Sequence, residues 1–288
     1  MANTRELRRR IKSIKNTSQI TKAMQMVAAT KMRKAQNQAL SGRPYVENLA
    51  EALERLLPRV DTEAHPLLLG NKSSKMGIVL VSTDKGLVGA LNTNLMRVVL
   101  ASQASPGSVV FYTVGRKGRS FVVKMGKELV ADFENADLVT FRQAVQLTKI
   151  ITEAFLAGEL GEVYLVYPQF VSTLKQEAKK VKLLPIETGS ITGGTGTTST
   201  TGLNEFLFEP NVDSLLDFIL VHHIQNTIYH GLLETKASEH SARMIAMQNA
   251  TDNAKELVED LQLTYNQTRQ SAITTELLEI TTAQVAMQ

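Results

Sequence analysis

The stretch Val212–Tyr265, VDSLLDFILVHHIQNTIYHGLLETKASEHSARMIAMQNATDNAKELVEDLQLTY, decides how the rest of the chain is read. It has no Pro and a single Gly, Gly231. Stepping by four and three from 212 to 265 gives Val, Leu, Ile, His, Asn, His, Leu, Ala, His, Met, Met, Thr, Ala, Val, Leu and Tyr. Eleven of these sixteen are apolar or aromatic, so a heptad seam runs through the whole stretch and argues for a coiled coil. Leu215, Ile224, Ile228, Leu232 and Leu257 widen the stripe. Pro210, Asn211 and Val212 suit a helix start, and no Pro follows before residue 288. A helix over 211–288 would be on the order of 115 Å long, far more than a globular domain needs.

The opposite end carries a partner for it. Residues 1–41 contain neither Gly nor Pro, and every Pro of the chain lies between Pro44 and Pro210. A weaker seam reads Leu7, Ile11, Ile14, Ser18, Thr21, Gln25, Ala28, Met32, Ala35 and Ala39. Asn3 or Thr4 can cap this helix, and Glu6 suits its first turn. Gly42 and Pro44 are expected to kink or briefly interrupt it, with Tyr45, Leu49, Leu53 and Leu56 continuing the apolar face up to Pro58. Two half-apolar helices at the ends of one chain bury their stripes most directly against each other, in antiparallel order. Pairing that begins near residues 57 and 211 places residue 1 opposite about residue 267, and leaves the last ~20 residues as a projecting single helix.

Between them lies a different pattern. Met76–Ser82 (MGIVLVS), Ser108–Gly115 (SVVFYTVG) and Glu162–Phe170 (EVYLVYPQF) read as strands, with Val181–Ile186 as a fourth. Leu87–Ala101 and Leu138–Ala157 read as helices. Alternation of this kind predicts a small Rossmann-like α/β domain with a mainly parallel sheet. The chain is thus divided into an N-terminal coiled-coil helix (1–57), a central α/β domain (58–210) and a C-terminal coiled-coil helix (211–288). Residues 189–202 (GSITGGTGTTSTTG) form a low-complexity loop.

Composition excludes several functions. The hydrophobic fraction of 43% and net charge of +4 rule out wholesale disorder. No Cys is present, which excludes disulfides, thiol catalysis, thiolate zinc and cysteine-ligated iron–sulfur clusters. No apolar run reaches the ~20 residues needed to span a bilayer. Charge is uneven: residues 1–34 carry ten Lys/Arg against Glu6, while residues 231–288 carry four basic and eight acidic residues. The basic stretch continues straight into the heptad and has no interleaved aromatics, which argues against a presequence or nucleic-acid binding and for an acidic protein partner.

The candidates for chemistry are weak. Gly193-Gly194-Thr195-Gly196 lacks the Gly-Lys-Ser/Thr ending of a phosphate loop. Gly86 and Gly89 stand where nucleotide folds bind phosphate, but without a full G-x-G-x-x-G they read as tight-turn residues. His223, His230 and His240 fall on the seam as a polar layer that fixes register, since no His-Glu-x-x-His spacing is present. Met24, Met26, Met32, Met244 and Met247 read as core or interface residues. No Ser/His/Asp set or paired-carboxylate site emerges, and neither catalysis nor a cofactor is expected.

Three stretches carry a resemblance. Ile14–Lys34 (IKNTSQITKAMQMVAATKMRK), Ser241–Glu276 (with SARMIAMQNATDNA and LQLTYNQTRQSAITTEL) and Ser82–Asn92 (STDKGLVGALN) resemble the signatures of the F-type ATP synthase gamma subunit family. The likeness spans nearly the whole chain. Departures are Val88 and Ala90, where many members have Cys or Gly, and the ending Thr281–Gln288 (TTAQVAMQ). The absence of Cys excludes the thiol control of chloroplast forms, and a start at Met1 suggests a bacterial form at the cytoplasmic side of the inner membrane.

The resemblance implies a non-catalytic central rotor stalk. Its coiled coil would turn inside a hexamer of alpha and beta subunits, with the α/β domain on the epsilon subunit and the membrane ring of c subunits. Lys22, Met24 and Arg33 match family positions near the acidic lever of a beta subunit. Arg269, Gln270 and Thr274 match positions that hydrogen-bond a beta loop higher up. A shaft must not stick, so its surface should lack buried Trp and Tyr anchors; the chain has no Trp, and Tyr265 is the only Tyr after Tyr229. The alternative from another class is a coiled-coil scaffold or tether with a small α/β head.

Overall fold

A computed structural model of the chain describes residues 4–56, 65–71, 73–102, 108–186 and 212–286. The loop expected at 189–202, the cap Asn3 and the last two residues lie outside that set. The chain divides into two units: Met1–Ala29 with Arg243–Gln288, and Thr30–Ala242.

The first unit contains the start of α1 (Thr4–Leu56) and the end of α6 (Val212–Ala286). Within it, every N-terminal seam position from Leu7 to Ala28 is buried or half-buried, and so is every C-terminal one from Met244 to Tyr265. One cross-helix bond fixes the register. The hydroxyls of Thr21 and Thr251 lie 2.7 Å apart and are buried. Anchoring the pairing at residues 57 and 211 put Met247 opposite Thr21, so at this contact the expected register is off by four residues, about one turn. With Thr21 against Thr251, Leu7 falls opposite Tyr265, Ile11 opposite Leu261, Ile14 opposite Val258 and Ala28 opposite Met244, all non-exposed. Met26, expected in the interface, is 59% exposed because it lies off this stripe.

The second unit holds the sheet and the remainder of both long helices. In chain order it adds α2 (Pro66–Leu69), β1 (Met76–Val81), α3 (Leu91–Ser102), β2 (Val109–Val114), α4 (Arg116–Lys124), β3 (Glu128–Phe133), α5 (Phe141–Leu156), β4 (Glu162–Phe170) and β5 (Gln176–Leu184). The sheet order is β3-β2-β1-β4-β5. The first four strands are parallel, and β5 pairs antiparallel with β4. β1 and β2 are buried almost throughout, because helices cover both faces. Val79, Val81 and Tyr112 point to the face packed by α5 and α6, through Leu147, Ile151, Leu220 and Ile228. Ile78, Leu80 and Phe111 point to the other face, against Leu95 and Val99 of α3 and Val122 of α4. The two long helices are antiparallel here too: Gln38 bonds the Tyr229 hydroxyl, and Tyr45 bonds His222 seven residues further along each helix.

Several boundaries differ from the sequence reading. Pro44 lies inside α1 and does not end it. A proline removes one backbone donor, and the flanking contacts, Gln38 on Tyr229 and Tyr45 on His222, hold the helix across the defect. α3 starts at Leu91 rather than Leu87, because Leu87 and Gly89 take left-handed backbones with φ of 61° and 57°. α5 starts at Phe141, after Thr140 in an extended conformation. β5 begins five residues earlier than expected, at Gln176. β3 and α4 were not anticipated.

Candidate functional site

The C-terminal edge of a parallel sheet is where doubly wound folds take ligands, and here the N–H groups of Arg116, Lys117 and Gly118 at that edge are already used. The Ser82 hydroxyl, at the end of β1, donates towards the carbonyls of Val114 and Gly115, both at 3.2 Å. It also accepts the Gly118 N–H at 2.7 Å. The Arg116 N–H, at the start of α4, goes to the Asp84 carboxylate at 2.9 Å, and the Lys117 N–H goes to the Thr83 carbonyl at 3.1 Å. A Cβ on Gly115 (φ 102°) would stand 2.3 Å from the Ser82 carbonyl oxygen. The turn at Gly86–Gly89 is closed by its own chain, with the Asn92 amide donating to the Thr83 hydroxyl at 2.8 Å. The amides at the start of α4 that a phosphate would need are bound to protein acceptors instead. Among the described residues no three His, Cys, Asp or Glu side chains gather as a metal site.

The histidines of α6 are buried or take protein partners. His230 pairs with Glu234 at 3.3 Å, and His222 with Tyr45 at 2.6 Å. Burial lowers the pKa of His223, so it stays neutral at physiological pH. His240 is buried.

Along α6 a polar stretch is buried on all sides. Thr235 to Ala242 are all buried although six of the eight are polar or charged, at Thr235, Lys236, Ser238, Glu239, His240 and Ser241. Their polar atoms meet backbone of the sheet domain. Ser238 donates to the Pro168 carbonyl at 3.0 Å and Ser241 to the Thr173 carbonyl at 2.7 Å. Lys236 Nζ donates to the Asn135 carbonyl at 2.8 Å, and Asn135 in turn donates to the Ser82 carbonyl at 2.6 Å. Gly231 allows close approach: a Cβ there would lie 2.9 Å from Leu165. Directional bonds of this kind fix one rotational setting of α6 against the sheet, which apolar packing alone does less well.

The six residues expected to bear contacts fall into sets. Lys22 is exposed and Met24 half-buried, both on α1 in the first unit, flanking buried Thr21. Arg33 is exposed but belongs to the second unit. Arg269, Gln270 and Thr274 sit together on α6, all exposed. From Arg269 to Gln284 every residue is exposed, so this last part of α6 has no packing partner among the described residues of its unit. It nevertheless shows Ile273, Leu277, Leu278 and Ile280 at 49–61% exposure, an apolar surface that calls for an outside partner.

One feature of this surface was missed in the sequence. Thr264, Thr268, Thr274, Thr275 and Thr282 each donate their hydroxyl to the carbonyl four residues back, at 2.7–3.0 Å. Thr274 therefore has its single proton committed to the Gln270 carbonyl, and can only accept from a partner. The run of threonines was the available signal, since Thr in a helix commonly bonds this way.

Comparison with known proteins adds three findings. The family model described as ATP synthase matches residues 3–287. The ATP synthase gamma chains of Opitutus terrae and Akkermansia muciniphila are 44% and 42% identical to this chain, over 99% and 100% of both partners. Among solved structures, the central stalk and c-ring of Tetrahymena thermophila mitochondrial ATP synthase is similar with a TM-score of 0.59 and 26% identity, covering 80% of this chain and 99% of that one. The Euglena gracilis mitochondrial ATP synthase, at TM-score 0.69 and 23% identity over 99% and 94%, shares the fold.

Proposed function

The chain belongs to the ATP synthase gamma chain family, and from that premise we propose how its surfaces divide the work of a rotor. Members of this family are non-catalytic central stalk subunits that couple proton flow to ATP synthesis by rotation. In this reading the exposed end of α6 turns inside the collar of alpha and beta subunits. The sheet unit rests on the epsilon subunit and the ring of c subunits, at the cytoplasmic face of a bacterial inner membrane. No helix among the described residues is long and apolar enough to cross a membrane, so attachment would come from those partners.

The observation that carries the reading is the unpartnered apolar surface from Arg269 to Gln284. Lys22, Met24 and Arg33 are proposed to meet the acidic lever of a beta subunit, with the lysine and arginine exposed as charge attraction requires. Arg269, Gln270 and Thr274 are proposed to meet a beta loop, with Thr274 accepting rather than donating. A push by the shaft changes catalysis only through its different interaction energy with the alternative states of beta. The test is purification of the tagged chain from its host membranes. One copy with three alpha and three beta subunits is expected, and a stable complex lacking both would overturn the proposal.

A further inference from the structure

We propose that the cleft between α1, α6 and the segment joining β3 to α5 is a binding site for a compact oxyanion of the phosphate class. The cleft has a volume of about 250 Å³ and is lined by Lys31, Lys34, Gln38, Asp137, Lys236 and His240, among others. Three lysines and one aspartate stand in that lining, and the lysines come from two helices. Lys236 is the unusual member, with a side chain only 5% exposed. A lysine is rarely buried without partners for its charge. Its contact with the Glu239 carboxylate is long, at 3.4 Å, and its second acceptor is a neutral carbonyl, Asn135 at 2.8 Å. An ammonium has three donors, so these two acceptors leave one for a ligand.

Asp137 reports the field in the cleft. Its carboxyl is held below the ordinary value, first by the hydrogen bond from Lys31 and further by the charges of Lys31, Lys236 and Lys85. Negative charge is therefore favoured where that carboxylate stands. The Lys31–Asp137 pair, at 2.8 Å, is half-exposed on both sides, and such pairs hold weakly. Asp137 acts as a built-in competitor: when it swings out, Lys31, Lys34 and Lys236 face an incoming anion together. A tetrahedral oxyanion with two charges answers donors arriving from separate segments better than a single planar carboxylate does.

The experiment uses the full-length chain and follows thermal melting and calorimetric binding with inorganic phosphate or with ADP at matched ionic strength. A saturable rise in Tm with either probe supports the site. Phosphate alone points to the free ion, and ADP alone to a nucleotide's phosphates. Asp137→Asn should tighten binding by about tenfold, because it removes the competitor without adding a contact. Lys34→Gln, at an exposed position, should loosen it by about fivefold, and Lys236→Met should abolish it. Should Lys236→Met fail to fold, the opposite signs at Asp137 and Lys34 still decide the matter. The proposal is overturned by no saturable response to either probe, by equal affinities of the native chain and Asp137→Asn, or by binding of a glutamate-rich peptide where both probes fail.

Discussion

The same helix, α6, is treated in opposite ways by its two units. From Thr235 to Ala242 it is buried on every side and held by hydrogen bonds to backbone of the sheet domain. From Arg269 to Gln284 it is exposed on every side. Between these extremes, Met244 to Tyr265 buries a single stripe against α1. The difference shows that the amount of apolar residue does not decide how firmly a helix is fixed. The buried segment is rich in polar side chains, and the exposed one shows Leu277, Leu278 and Ile280. Fixing depends on whether polar groups find directional partners in a solid scaffold; bare apolar area only creates demand for a partner.

The comparison can be broken most forcefully by interrupting the helix between its extremes. Val258→Pro removes a backbone bond within the paired stretch, at a cost of about 3 kcal/mol or more. Loss of the assembled complex on native gels is the expected result, whereas deleting the last ~10 residues should leave assembly largely intact. Equal loss from both changes would mean that the exposed end is as structural as the seam. In the sheet unit, Gly115→Ala forces a Cβ against the Ser82 carbonyl oxygen at a φ of 102°. Strain of this kind costs on the order of 1–3 kcal/mol, read as a lowered Tm; an unchanged melting curve would show that the β1–β2 edge gives way.

Smaller effects sharpen the contrast. Thr21 and Thr251 share a buried contact, and each also bonds a carbonyl of its own helix, so two protons serve three contacts. Thr21→Val should cost about 1 kcal/mol, and adding Thr251→Val should cost less than the separate losses combined. A double-mutant cycle by denaturant melts measures this, and strict additivity would remove the pair from the register argument. Least of all for stability, Arg269→Ala with Gln270→Ala should leave melting within about 0.5 kcal/mol. ATP synthesis in reconstituted vesicles should nevertheless fall roughly fivefold or more, as expected when about 1 kcal/mol of state-dependent contact is lost. Undiminished synthesis would take those two residues out of the coupling path.

The long helices were legible because their seams repeat over many turns: all ten N-terminal seam positions, Leu7 to Ala39, are buried or half-buried. Register was harder, because sequence periodicity constrains which residues face inward but not which partner they meet. The pairing anchored at residues 57 and 211 holds to within one residue at Gln38–Tyr229 and Tyr45–His222, and is one turn off only at Thr21. β1, β2 and β4 were visible as apolar runs buried on both faces. β3 was overlooked although Leu129, Ala131 and Phe133 alternate inward, since the strand is a half-buried edge flanked by charge. α4 was overlooked because Gly118 interrupts a charged stretch, and that Gly is needed for its approach to Ser82. For the proposed contact surface the residue identities were carried over from the family resemblance, but the commitment of Thr274 to its own backbone is visible only in three dimensions.

The threonines of α6 have a consequence for motion. A surface that turns past another loses speed at every bond it must break on leaving a position, and each 1.4 kcal/mol of such grip slows a step about tenfold. Hydroxyl protons already given to the helix's own carbonyls are withheld from the neighbour sliding past. The polar character that keeps this segment wettable is thus turned inward, and in the proposed rotor this end of α6 would meet its collar as a low-friction sleeve.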